Sequence, residues 1–191
     1  MELQKLNVKL FVESPDAVPL TDFIEIFHSW IQATDGVYHD VADYSHMQAG
    51  PGIVLVGHDA NVSIDESDNR RGLLYSRKSA LNGSNQERLR SVVRASLENF
   101  RKLASEPKLN GKFKLLGSEA VIAFNDRLNW PNTDESFAEV SSEIRHLART
   151  LFSDAEISLE READRRNRFA VRIKASLCLA VDELLVRLNN N

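Results

Sequence analysis

Three of the five histidines, His39, His46 and His58, fall within one stretch, Val37 to Lys78, and imidazole is the side chain best placed to exchange a proton near neutral pH. With Asp43 or Asp59 beside them they make a donor set that suits zinc or iron, leaving an open position where water is activated. The spacing works against this. His39 and His46 lie seven residues apart, so an extended strand turns them to opposite faces unless a bulge intervenes. No metal is assigned on this pattern and no cofactor is indicated, but Tyr38, His39, Asp43, Tyr44, His46 and His58 remain candidates for lining a site.

A second chemistry comes from Arg70, Arg71 and Arg77 with Lys78. Guanidinium forks suit carboxylate or phosphate, and the Gly50-Pro51-Gly52 backbone offers amides for an anion nest. The blander alternative is a basic hairpin facing an acidic N-terminal third. Up to Asn69 the chain carries twelve carboxylates against two cations; after it there are sixteen against twenty-two, for a net charge of −4. That asymmetry fits two mutually attracting parts or an acidic and a basic face. The sum excludes nucleic acid as a principal ligand, because backbone neutralisation needs a coherent basic surface.

Other motifs fail on inspection. Asp65, Ser67 and Asn69 have the spacing of a calcium loop, yet its sixth and twelfth positions hold Arg70 and Ser76 in place of glycine and glutamate. The nucleotide-binding glycine signatures, the nucleophile elbow and the zinc-protease helix are absent. The single cysteine, Cys178, has no partner, and a helical wheel sets it beside Leu185 in an apolar, inert position.

The elements that would position these residues follow from periodicity. Asn7 to Glu13 alternates, with Val8, Leu10 and Val12 inward and Asn7, Lys9 and Glu13 toward water, Phe11 breaking the polar side. A helix from Leu20 carries Phe23, Ile24, Phe27, Trp30 and Ile31, with Thr21 or Asp22 as its cap. Val37 to Met47 reads as a strand polar on both sides, hence an edge strand or the border of a cavity. Ile53 to Val56 reads as buried on both faces, and 53 to 78 as one long bent hairpin. Ser84 and Glu87 form a capping box for a helix with stripe Leu89, Val92, Val93, Leu97, Phe100 and Leu103.

Two short strands, Phe113 to Leu116 and Ala120 to Phe124, precede a helix bearing Phe137, Val140, Ile144, Leu147 and Leu151. Strands around Ile157 to Leu159 and Phe169 to Ile173 lead to a last helix from about Ser176, apolar on almost every side. The layout strand, turn, proline loop, Thr-Asp, amphipathic helix occurs twice, about 112 residues apart. The expected fold is therefore α+β: one globular domain over 1–191, a mainly antiparallel sheet with about four amphipathic helices on one side, and two ferredoxin-like halves, 1–117 and 118–191, sharing a core.

The leading functional expectation is a non-enzymatic cytoplasmic binding or assembly module. It would self-associate through the C-terminal helix around Leu177 to Leu188 and take a protein partner or a small acidic ligand. No apolar run approaches the roughly 18 residues that span a bilayer, so no membrane role is expected. The alternative is a small enzyme using His39, His46 or His58 as acid, base or metal ligand.

Overall fold

The computed structural model of the chain describes residues 1–190. In order the elements are β1 (Leu6–Val12), α1 (Leu20–Ala33), β2 (Tyr38–Tyr44), β3 (Gly52–Gly57), β4 (Ala60–Asp65), β5 (Gly72–Arg77), α2 (Asn85–Ala104), β6 (Leu115–Phe124), α3 (Asp134–Phe152), β7 (Ile157–Arg161), β8 (Ala170–Ala175) and α4 (Val181–Asn189). All eight strands form one antiparallel sheet in the order β2-β3-β4-β5-β1-β6-β8-β7, which is an α+β architecture.

Alternation decides which face the helices cover. Leu10 lies opposite Leu73 on one side and Ala120 on the other, and Ala120 opposite Ile173, so these side chains share a face. All four helices pack there: α1 over β2 and β3, α2 over β1 and β5, α3 over β7 and β8, and α4 over β6. Between them lie Val8, Leu10, Phe23, Phe27, Val93, Leu97, Ile122, Ile144, Ile173 and Leu184. Among the described residues no helix covers the opposite face.

The local signals explain where the helices start. Ser84 Oγ accepts from the Glu87 N–H while the Glu87 carboxylate accepts from the Ser84 N–H, the reciprocal pair its sequence implies. Thr133 caps α3 through the Ser136 N–H. Its counterpart near α1 behaves differently: that helix begins directly after Pro19, with no side-chain cap from Thr21 or Asp22.

Four other expectations change. The 53–78 region is three strands, not one hairpin, because Asn61 lies opposite Ser76 and Val62 opposite Leu55. Phe113 lies outside any strand and buried, and 115–124 is a single ten-residue strand that contains residue 117. A Cβ on Gly117 would sit 1.7 Å from the Leu179 carbonyl oxygen, a contact through which the extended segment before α4 lies against β6. That segment is why α4 starts at Val181 instead of Ser176; Leu184, Leu185 and Leu188 face the chain's own core, and Cys178 is exposed rather than buried.

β1 gives the most consequential difference. All seven of its residues are buried, Asn7 and Lys9 included, so the face expected to be wet is enclosed. The cause is topological: β1 sits in the middle of the sheet between β5 and β6, and loops at either end rise over its uncovered side.

Candidate functional site

The uncovered face is ordered in rows. Asn7 stands between Ser76 and Ala123, with Ala170 beyond Ala123; Lys9 stands between Leu74 and Val121, with Arg172 beyond Val121. Small side chains at Ala123 and Ala170 leave room above them. The result is a hollow of about 370 Å³ whose walls are the turn at Ser67 and Asp68, the β7–β8 connection with Glu162, Asn167 and Arg168, and Arg127 after β6. Aromatic packing holds two of these walls. Trp130 lies 5.2 Å from Phe124 and stacks on Phe169, so the loops carrying Arg127 and Arg168 are fixed to the same buried ring cluster.

The floor is charged. Lys9 Nζ donates to Asp65 Oδ1 at 2.5 Å and to the Ser67 carbonyl at 3.0 Å, with the two side chains 10% and 4% exposed. Ser67 donates its hydroxyl to Asp65 Oδ2 (2.8 Å) and its N–H to Oδ1 (3.2 Å), so the carboxylate is saturated by the protein. That answers the question of the calcium-like spacing: Asp65 is committed to a lysine and a serine.

Toward the Asp65 end, Arg70 forks onto Glu119 (2.7 and 2.9 Å) and Arg172 donates to the same carboxylate. The bond from Arg70 is the largest cause holding Glu119 well below the ordinary carboxylate range, at about 2. Both guanidiniums lie over the Phe11 ring, Arg70 at 3.9 Å and Arg172 at 5.5 Å, and Lys9 is also 5.5 Å from it. The other end is different. Arg168 donates to Asn125 Oδ1 (3.2 Å), and among the described residues neither Arg127 nor Arg168 has a carboxylate within 4 Å, although Asp68 and Glu162 line the same hollow.

Asn7 lies at that same end. It is 4% exposed, lines the hollow, and its Oδ1 receives no hydrogen bond from the protein. A buried acceptor in this condition is unusual, since nearly all such groups are paired.

The nine residues singled out from sequence are dispersed. Tyr38, His58 and Arg77 meet at a second hollow of about 400 Å³, with Tyr75, Asp59 and Asn99. There the Tyr38 hydroxyl donates to Asn99 Oδ1 (3.4 Å), and burial pushes its pKa up. His39 and His58 face each other edge-on at 6.3 Å between ring centres. Asp43 accepts the Ser45 N–H (2.8 Å), and hydrogen bonds from Ser45 hold it below its usual range; Tyr44 and His46 are exposed nearby. Arg71 is a latch, donating to Glu66 and to the Val18 carbonyl, while Arg70 belongs to the Glu119 fork. The three arginines therefore point to three different places. Among the described residues no group of three or more His, Cys, Asp or Glu is placed to hold a metal ion.

Sequence reasoning missed Asn7, Lys9, Asp65, Glu119, Arg127, Arg168 and Arg172 as a group. The available signal was two polar residues in the strand with the most regular apolar alternation; their enclosure depends on strand order, which periodicity does not encode. Comparison with protein-family models, with curated proteins and with solved structures finds no match to this chain.

Proposed function

We propose that the protein is a binding module that takes a small acidic ligand on the uncovered face of its sheet. One observation carries this reading: two arginines free of carboxylates, Arg127 and Arg168, stand over an enclosed floor whose own charges are already paired. Guanidinium presents a planar fork matched to carboxylate or phosphate, and both side chains stand exposed at the rim, where salt screens their charge. The volume suits a ligand of small-molecule size, near the lower end of common sites.

Calorimetric titration with citrate tests it. Wild-type protein should bind, with affinity falling as salt rises, and Arg127→Ala with Arg168→Ala should reduce affinity at least tenfold without changing the fold. Unchanged binding in the double variant would remove the reading.

A second reading, self-association through the C-terminal region, has the exposed apolar side chains Leu177 (38%) and Val186 (56%) to use. Light scattering at high concentration decides it: a dimer that Val186→Asp dissociates supports that contact. No helix among the described residues is long and apolar enough to cross a membrane.

A further inference from the structure

We infer a second site, on the helix-covered side of the sheet, that takes a small neutral polyol such as a monosaccharide. It goes beyond the acidic-ligand reading and lies elsewhere, in the hollow of about 400 Å³ between the turn after α1 and the C-terminal half of α2. Tyr75 is the residue that carries it. Its side chain is 6% exposed and lines this hollow, and among the described residues its hydroxyl has no hydrogen-bond partner. That oxygen is not sealed in the core, so the hollow is where it opens.

The strand period sets the polar groups around it. β5 turns Tyr75 and Arg77 to the same face, about 7 Å apart along the strand, with Val62 and Ala60 opposite them on β4 as a small apolar floor. Arg77 commits Nε to the Ser79 carbonyl (3.2 Å), while among the described residues its terminal nitrogens donate to no protein acceptor. Across the hollow the Tyr38 hydroxyl donates to Asn99 Oδ1 at 3.4 Å, a long bond that leaves the phenol oxygen free to accept. Asp35 and Asp59 stand exposed at the mouth, and Asp59 receives the Ser79 hydroxyl on one of its two oxygens.

The lining thus joins a pure donor, pure acceptors and two phenol hydroxyls that do either. An alcohol also does either, so a polyol can answer whichever partner each of its groups meets. Two carboxylates against one guanidinium disfavour an acid here, which separates this hollow from the one beneath Arg127 and Arg168. The volume falls in the range of small-molecule sites and is enough for one sugar ring.

Amide chemical-shift mapping with D-glucose and with D-ribose tests this, tetrahydropyran serving as a ring of similar size without hydroxyls. Wild type should show saturable shifts at Gly36, Ala60 and Arg77 with at least one sugar, and none there with tetrahydropyran. Tyr75→Phe removes only the hydroxyl, and the loss of one hydrogen bond of ordinary net strength should weaken sugar binding about fivefold while the melting temperature stays within about 2 °C. Arg77→Gln, at a half-buried position, should weaken it likewise. No saturable shift with either sugar, equal shifts with tetrahydropyran, or undiminished affinity in both variants would overturn the polyol site.

Discussion

Replacing Asn7 by leucine should make this protein more stable. Its Oδ1 is buried without a partner, and an unsatisfied buried acceptor costs about 1–3 kcal/mol. Leucine removes that cost, is the better strand residue, and has open volume above it in which to place its extra atoms. Some of the gain is lost to imperfect packing against Ser76 and Ala123, so the net expected is about 1–2 kcal/mol. For a chain of this size each kcal/mol moves the melting temperature by about 2–4 °C, giving a rise of about 2–8 °C. Urea unfolding followed by circular dichroism, with the slope unchanged, measures it directly. A loss of more than about 1 kcal/mol in a variant of native spectrum would refute the reasoning, because the Asn7 amide would then be making a stabilising bond in solution.

The same face yields three further expectations. Lys9→Met strands the Asp65 carboxylate in a buried site and should cost about 3–5 kcal/mol, whereas Lys9→Met with Asp65→Leu should recover most of it; urea titrations of the two variants check this. Glu119 has a folded pKa lowered from 4.5 to about 2, so its contribution is complete above the unfolded value and is lost as pH falls from about 4.5 toward 2. Allowing for solvent screening this is about 1–2 kcal/mol, and Glu119→Gln should flatten the stability profile across that window. Ala123→Leu places a side chain in the hollow and should abolish citrate binding while shifting stability by less than about 1 kcal/mol, which calorimetry and thermal melts separate.

Local features of the chain were legible because local physics decides them. The Ser84 and Glu87 box, the α2 stripe and the position of β2 at a sheet edge all follow from spacing and polarity within a few residues. The α+β class with helices on one face follows from alternation in the strands and 3.6-residue stripes in the helices. Long-range pairing was not legible. Asn7, Ala123, Ala170 and Arg168 come from three strands and a loop, and only the order β5-β1-β6-β8 makes them neighbours. The histidine-bearing stretch drew attention because its residue types are reactive, yet His39, His46 and His58 all lie on the surface, two of them edge-on to each other and the third beyond the end of β2. Cys178 shows the complementary error: its neighbours Leu177 and Leu179 suggest a buried helix, whereas extended backbone beside Gly117 turns Leu179 in and leaves Cys178 outside.

The central claim is that ligand meets the uncovered face of the sheet, and amide chemical-shift mapping with a citrate titration addresses it residue by residue. The account predicts saturable shifts concentrated at Asn7, Val121, Ala123, Arg127, Arg168 and Ala170, with little change at Tyr38, His39 or His58. Shifts centred on Tyr38, His58 and Arg77 instead, or no saturable shift at any residue, would contradict it.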